Sequence, residues 1–369
     1  MQPRGSAAGE ASARPSKTAL GGRWDVAAAG ELCGGPEIIL DFPDCECAAV
    51  QVASDLHLEF VRQGCGHNTG DWVVPSAPIL ALLGDIGIPS HPSYRDFLLQ
   101  QADRFAAVLV LTGNHEFYSV NHAPTPPPLE GQTYSEVTAL EARTKHSCED
   151  MESAIEEICG ERPNLHYVDN RTVRLGRKPD APALLCTPLW SHVPADAIGH
   201  VGRSLNDYHM CWVRPRFATA ADAEEFASRG GVHNAKGIPL RKLTPADTSA
   251  WHALAVGWIA REMTRLRGAD VKRAALLTHH TPSMSGTSHP RFEGENANAT
   301  QHGFSTDLSE LYGGALELIA WVYGHTHYNN ERMHLGTRLL SNQRGYVHQV
   351  DEGYKPTLRL DLETGRVIV

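Results

Sequence analysis

Short apolar runs recur along the chain, and polar positions mark their ends. Each run is four to eight residues long, and most end at a glycine or a polar cluster, as strands buried on both faces do. Six runs have this character, at 48–53, 79–83, 106–111, 183–189, 274–278 and 318–323. We predict that these six segments are the core strands of the fold.

Two segments between the runs carry helical spacing instead. Residues 134–159 place apolar side chains at helix-like intervals, which is typical of a helix with one buried face. Residues 244–267 open with a start signal, in which Thr244 is the N-cap, Pro245 takes the first helical position and Asp247 follows three residues after the cap. Strands that alternate with helices predict an α/β layered fold.

From residue 331 onward the pattern changes to short segments broken by Gly, Asn and Asp-Glu-Gly. Such punctuation is typical of antiparallel strands. We predict strands at 337–340, 346–350 and 357–362, which would close the domain.

The remaining segments define the predicted domain organisation. Residues 1–45 form a disordered, Ala/Gly-rich tail without the apolar core of a signal peptide, and residues 46–369 form a single domain. A proline-rich loop lies near 121–132, because four prolines in five residues preclude a regular helix or a central strand. The polar stretch near 193–243 is interpreted as an insertion that covers one edge of the core.

The overall composition narrows the function classes. The chain has 369 residues, of which 41% are hydrophobic, and a formal net charge of −10. This acidic balance disfavours long nucleic acids, whose binding relies on Lys and Arg. No run of 18 apolar residues occurs, so no membrane span is expected. Eight cysteines without C-x-x-C spacing favour reduced thiols and a cytoplasmic location.

Five short motifs carry the candidate chemistry, and four of them directly follow an apolar run. In chain order they are Asp55-Leu56-His57, Gly84-Asp85, Gly113-Asn114-His115-Glu116, Thr278-His279-His280 and Gly324-His325-Thr326-His327. Open α/β sheets bind their ligands beyond the carboxyl ends of the strands. We therefore expect the five motifs to meet at one site.

The spacing within the motifs suits metal ligands. Residues i and i+2 of an extended chain point to the same side, so Asp55 and His57 could hold one cation together. The same argument applies to His325 and His327, where the preceding glycine lets the backbone turn sharply or approach the ions. The carboxylate of Asp85 has two oxygens and could bridge two cations ~3.5–4 Å apart.

A mixed set of carboxylate, amide and imidazole ligands favours first-row metals, so manganese, iron and zinc all fit. Two such divalent or trivalent cations can acidify a water molecule and stabilise the charge on a transferring phosphoryl group. His115 follows the amide ligand Asn114 and is placed to protonate the leaving oxygen as a general acid. We interpret Asp85, Asn114 and His115 as the catalytic group.

In this order, the motifs resemble those of the calcineurin-like metallophosphoesterases, namely D-x-H, G-D, G-N-H-[DE], a later His and G-H-x-H. The resemblance spans about residues 50–328. It implies a four-layer α/β/β/α sandwich and a dinuclear centre, at which metal-bound hydroxide attacks phosphorus and His115 protonates the leaving group. The implied ligands are Asp55, His57, Asp85 and His327 for the first metal, and Asp85, Asn114, His279 and His325 for the second.

The fourth motif leaves one ligand open. Aligning Pro282 with the second proline of the family pattern favours His279, and His280 remains the alternative. The stretch Leu205-Asn206-Asp207-Tyr208 and the stretch S-N-Q-R-G-Y at 341–346 resemble an uncharacterised branch of the family found in fungi and bacteria. No substrate carries over from that branch.

Four residues are candidates for substrate contact. Asn206 and Asp207 could line the cleft or cap a turn. Tyr118 could face the substrate or pack in the core. Arg344 could clamp a phosphate with its planar fork or form an ordinary surface salt bridge.

The leading functional hypothesis is a phosphomonoesterase or phosphodiesterase that acts on a small phosphorylated substrate. The alternative is a non-catalytic scaffold with the same fold that binds protein partners. A β-lactamase-like metallohydrolase is disfavoured, because the chain has no H-x-H-x-D-H motif. Neither the oligomeric state nor the choice between monoester and diester follows from the sequence.

Overall fold

A computed structural model describes residues 34–42, 48–61, 69–119, 145–217, 219–229, 231–294, 297–312 and 316–369. The proline-rich loop near 121–132 and the first part of the predicted helix at 134–159 lie outside the described residues. So do residues 1–33 and 43–45 of the predicted tail and residues 46–47 of the predicted domain.

The described residues form strands and helices at the following bounds. The strands are β1 (Ile38–Ile39), β2 (Ala49–Ala53), β3 (Ile79–Leu83), β4 (Ala107–Leu111), β5 (Leu165–Tyr167), β6 (Arg171–Arg174), β7 (Ala183–Thr187), β8 (Trp212–Val213), β9 (Val232–His233), β10 (Pro239–Lys242), β11 (Arg273–Thr278), β12 (Glu317–Tyr323), β13 (Glu331–His334), β14 (Thr337–Ser341), β15 (Arg359–Asp361) and β16 (Val367–Ile368). The helices are α1 (Pro92–Ala102), α2 (Cys148–Cys159), α3 (Ile198–Ser204), α4 (Asp207–Met210), α5 (Ala220–Ser228) and α6 (Pro245–Gly268).

Two large sheets contain most of the strands. The six-stranded sheet has the order β16-β15-β2-β3-β4-β5, and the seven-stranded sheet has the order β1-β6-β7-β11-β12-β14-β13. Strands β2 to β5 are parallel to one another, as are β7, β11, β12 and β14. Every residue of β2, β3, β4 and β7 is buried. Burial on both faces explains why these strands are continuous apolar runs in the sequence.

The two sheets share one hydrophobic core. Val52 and Leu109 from the first sheet pack in one cluster with Leu184 and Leu277 from the second. Successive side chains of a strand point to opposite faces, so neighbouring residues on each strand reach the other side of the sheet.

Helices cover the faces of the two sheets that point away from the shared core. Leu80 of β3 packs in one cluster with Phe97 of α1 and Ile155 of α2, and Leu276 of β11 packs in another with Ile259 of α6. The structure is therefore a mixed α/β fold, as the alternation of strands and helices predicts.

The predicted core strands and the helix at 244–267 are confirmed, with small shifts at their ends. Helix α6 begins as predicted, because the Thr244 side chain accepts from the Asp247 N–H and the Asp247 carboxylate accepts from the Thr244 N–H. The prediction of a strand at 346–350 is wrong. There the Gln349 N–H donates to the Tyr346 carbonyl in a turn, because the preceding backbone, at Gly345, bonds to the loop after β2.

The predicted insertion near 193–243 contributes α3, α4, α5 and a three-stranded sheet of order β8-β10-β9. Strand β1 pairs with β6, which places part of the predicted tail in the fold. The four described cysteines, at 148, 159, 186 and 211, are buried and free. Within the described part of the chain, no helix is long and apolar enough to cross a membrane.

Candidate metal centre

The predicted ligand residues lie beyond the carboxyl ends of five strands. Strands β2, β3 and β4 are neighbours in one sheet, and β11 and β12 are neighbours in the other. The residues are Asp55 and His57 after β2, Asp85 after β3, Asn114 and His115 after β4, His279 after β11, and His325 and His327 after β12. Because the sheets pack face to face, all five motifs meet at one site.

Five of these residues adopt a left-handed backbone conformation. The φ angles are 56° at Asp55, 50° at His57, 53° at Asp85, 77° at His325 and 49° at His327. The expectation that the D-x-H and H-x-H pairs lie on extended chain is therefore wrong, because the backbone curls at each ligand instead. Such conformations cost about 1–3 kcal/mol each and cluster at functional sites, where the surrounding structure imposes them.

The first group of donors comprises Asp55, His57, Asp85 and His327. His57 Nε2 lies 2.9 Å from His327 Nε2 and 3.9 Å from Asp85 Oδ2. His327 Nε2 lies 3.3 Å from Asp55 Oδ1. His327 is partly exposed and the other three are buried, so one side of the group is open to solvent.

The second group comprises Asp85, Asn114, His279 and His325. His279 Nε2 lies 3.4 Å from Asp85 Oδ1, 3.1 Å from Asn114 Oδ1 and 3.2 Å from His325 Nδ1. Asp85 therefore directs one oxygen toward each group of donors.

His280, the alternative ligand in the fourth motif, points elsewhere. Its Nδ1 lies 3.3 Å from the Pro188 carbonyl oxygen, and its Nε2 has no hydrogen-bond partner. Its ring packs against that of His325 with centroids 4.2 Å apart. The geometry thus brings His279, and not His280, to Asp85 and Asn114.

The donor set suits metal ions. The neutral imidazoles of His57 and His327, with nitrogens 2.9 Å apart, repel each other unless a proton or a cation lies between them. Burial lowers the pKa of His279, but Asp85 and Asp55 outweigh burial and raise this pKa to about 10. The buried carboxylates of Asp85 and Asp55 thus stabilise positive charge at His279. Imidazole, carboxylate and amide donors together match manganese, iron or zinc, and a bound ion would take the place of the proton.

Glu59 joins the site to the candidate acid, and sequence reasoning missed it. Its Oε1 lies 3.1 Å from His57 Nδ1 and 2.8 Å from His115 Nδ1. A carboxylate only accepts hydrogen bonds, so both Nδ1 atoms donate and the His57 Nε2 lone pair faces the first group. The position of Glu59 two residues after His57, in a D-x-H-x-E pattern, was the available signal.

The charges around His115 favour its protonated form. Burial lowers the pKa of His115, but Asp85, Glu59 and Asp207 outweigh burial and raise this pKa to about 9. Burial raises the pKa of Glu59, but hydrogen bonds to His115 and His57 outweigh burial and lower this pKa to about 2. Glu59 is therefore a carboxylate that keeps a proton on His115, although cations at Asp85 would offset part of this effect.

Glu59→Gln is expected to lower kcat about 10–100-fold at saturating metal, the usual effect of losing a partner of a metal ligand. The loss should be larger for an alkyl ester than for a p-nitrophenyl ester, because only the poorer leaving group needs the proton on His115. Steady-state kinetics on both esters measure this difference. Glu161→Gln, at an exposed ion pair with Arg95, is the control, and an equal loss on both esters would contradict the acid-supporting role.

Glu116, the last residue of the G-N-H-E motif, ties two motif loops together. Its carboxylate accepts from the backbone N–H groups of Asp85 at 2.9 Å, Ile86 at 2.8 Å and Gly113 at 2.8 Å. The side chain is fully buried. Glu116 thus holds the ligand Asp85 in register with the loop that carries Asn114.

Two glycines of the motifs are required by close packing. A Cβ atom at Gly84, where φ is +85°, would lie 2.6 Å from His279 Nδ1. A Cβ atom at Gly324 would lie 2.8 Å from Asp55 Oδ2. Any larger residue at either position would therefore displace a candidate ligand, His279 or Asp55.

Asp207 and Tyr118 hold the amide of Asn114. Asn114 Nδ2 donates to Asp207 Oδ1 at 2.7 Å, and the Tyr118 hydroxyl donates to the same oxygen at 2.6 Å. The Asn114 Oδ1 is thereby turned toward His279. Both residues line the cavity but are buried. Their described contacts hold the side chain of the candidate ligand Asn114.

The other two substrate candidates differ from each other in position. Asn206 lines the cavity and is exposed. The guanidinium of Arg344 instead lies over the Trp72 ring, 3.5 Å from its centroid, and Arg344 is not among the residues that line the cavity. Arg344 therefore packs on Trp72, and the choice between a phosphate clamp and a surface salt bridge stays a prediction.

Comparison with known proteins gives limited similarity, and no family model matches the chain. The chain is 25% identical over 323 residues to an uncharacterised protein of Acanthamoeba polyphaga mimivirus, across 85% of this chain and 96% of the relative. Among solved structures, it resembles a phosphopantetheinyl hydrolase from Mycobacterium tuberculosis, with 17% identity, a TM-score of 0.48 and coverage of 81% of this chain and 90% of that one. It also resembles a sulfate thiohydrolase from Thermus thermophilus, with 14% identity, a TM-score of 0.31 and coverage of 89% and 57%. Both structural similarities are weak and carry no argument about the reaction.

Proposed function

We propose that this protein is a dinuclear metal-dependent phosphoester hydrolase of the calcineurin-like metallophosphoesterase type. The observation that carries the proposal is the pair of donor groups that share Asp85, which is 2% exposed, at the wall of a solvent-accessible cavity. The fold would be the four-layer α/β/β/α sandwich of that family, with helices outside two packed sheets. A cytoplasmic location remains part of the proposal.

Each residue of the site has a distinct part in the proposed reaction. Asp55, His57, Asp85 and His327 would hold one cation, and Asp85, Asn114, His279 and His325 the other. When bound, the two cations supply Lewis acidity toward the phosphoryl group and the attacking water. Manganese, iron and zinc all match these donors.

His115 would act as the general acid. Its Nδ1 is held by Glu59 at 2.8 Å, while its Nε2 lies 3.9 Å from Asp85 Oδ2, on the side of the donor groups. A departing alkoxide between the donor groups and His115 would therefore receive the Nε2 proton. Stacking on Tyr118, with centroids 4.2 Å apart, holds the ring in this orientation.

The proposal is tested with purified protein that has been loaded with manganese. We expect hydrolysis of bis(p-nitrophenyl) phosphate, p-nitrophenyl phosphate or both, with about two metal ions per chain in the two-metal arrangement. Chelation should abolish turnover, and added metal should restore it. A protein that holds two metal ions and turns over neither ester would contradict the enzyme and favour the scaffold. The ratio of the two rates separates diester from monoester preference.

A further inference from the structure

The cavity above the donor groups is larger than a phosphoryl group requires. Its volume is about 610 Å³, which lies in the range of about 300–1,000 Å³ typical of sites that bury most of a drug-sized ligand. Asp85, Asn114, His325 and His327 line one part of it. The remaining volume is available to the group that is esterified to the phosphate.

Four apolar side chains border the cavity, within a lining that is otherwise mostly polar and charged. They are Phe292, Phe304, Leu205 and Val350. The Phe304 ring stacks on the ligand His325, with centroids 4.7 Å apart and an interplanar angle of 29°. An apolar ring therefore lies directly beside the second donor group.

Two of these side chains are unusually exposed for their type. Phe292 is 52% exposed and Val350 is 45% exposed. Arg291 lies over the Phe292 ring, 4.5 Å from its centroid, and Glu352 is at the same cavity wall as Val350. Both apolar side chains thus border a cavity whose wall also carries charged groups.

We propose that Phe292 and Val350 form a seat for an apolar ester group of the substrate, aryl or alkyl, while the phosphoryl group lies at the donor groups. This inference rests on the proposed function, because it assigns the substrate class of the same site. Polar phosphorylated metabolites without an apolar group are then poor substrates.

Binding of three phosphonates to the manganese-loaded protein tests the seat without any turnover. Methylphosphonate probes the donor groups alone, and phenylphosphonate and hexylphosphonate add an aryl or an alkyl group. Calorimetric titration should show a Kd at least about tenfold lower for phenyl- or hexylphosphonate than for methylphosphonate, because even one methylene in an apolar pocket changes affinity by about tenfold or more. The tighter of the two larger ligands identifies the ester group as aryl or alkyl.

Substitutions at Phe292 and Val350 test whether these side chains cause the higher affinity for the larger phosphonates. Phe292→Ala and Val350→Ala should each reduce this ratio of affinities several-fold and leave the Kd of methylphosphonate unchanged. Met333→Ala is the matched control, because Met333 is 59% exposed and does not border the cavity. Equal affinities for the three ligands, or an unchanged ratio in both seat variants, would overturn the seat.

The design separates failure of the seat from failure of the proposed function. If methylphosphonate binds without a preference for the larger ligands, and esters are hydrolysed, the seat is overturned and the hydrolase stands. If the preference is found without turnover of any ester, the seat stands and the hydrolase falls. If no phosphonate binds the metal-loaded protein, the seat is overturned, and the hydrolase falls as well only if neither ester is turned over.

Discussion

Asp85→Ala is expected to release metal from both donor groups and to reduce hydrolysis to the background rate. The reason is that one carboxylate serves both groups, with Oδ1 at 3.4 Å from His279 Nε2 and Oδ2 at 3.9 Å from His57 Nε2. The same Asp85 Oδ1 accepts a hydrogen bond from the backbone N–H of His115 at 2.8 Å. Removal of the side chain therefore also frees the loop that carries the candidate acid.

Metal content by mass spectrometry, measured beside the rate of ester hydrolysis, checks this prediction. Asp85→Asn keeps the shape of the side chain and should still lose most of the metal, because an amide cannot supply two negative oxygens. Asp96→Ala, on an exposed face of α1 with 73% of the side chain accessible, is the control. A folded Asp85→Ala protein that retains both ions and full activity would remove the shared-ligand assignment.

His115→Ala is expected to keep both metal ions and to lower kcat by about 10²–10⁴-fold on esters with poor leaving groups, the usual contribution of a general acid. For p-nitrophenyl esters the loss should be smaller, because p-nitrophenolate departs without protonation. This contrast in leaving groups distinguishes loss of the acid from loss of the metals.

Rates on a series of esters with alcohols of increasing pKa measure the effect, and metal analysis of the same samples shows whether the ions remain. The control is His146→Ala, at an exposed position before α2. Full activity of His115→Ala on alkyl esters would withdraw its assignment as the acid. Loss of metal in this variant would instead make His115 part of the metal-binding structure.

The strands could be predicted closely because their signal is local. β3 is a five-residue run with every residue buried, and burial on both faces permits only apolar side chains. The helix from Pro245 was equally clear, because a capping pair three residues apart satisfies backbone groups within a single turn. The segment at 346–350 mixes apolar and polar residues and forms a turn. Its conformation depends on the hydrogen bond from the neighbouring Gly345 to the distant loop after β2.

In the site, too, some features follow from the local sequence and others only from long-range contacts. By itself, the sequence determined the candidate metal ligands, because ligand chemistry belongs to each side chain and the motifs follow predicted strand ends. Only the tertiary structure decided that His279 rather than His280 faces Asp85, that the backbone curls at the ligands, and that Arg344 is engaged by Trp72. It also placed Glu59 on His115 across 56 positions and Asp207 on Asn114 across 93. The first contact joins the loops after β2 and β4 of one sheet, and the second joins the loop after β4 to α4 of the insertion. No local pattern of residues encodes either contact.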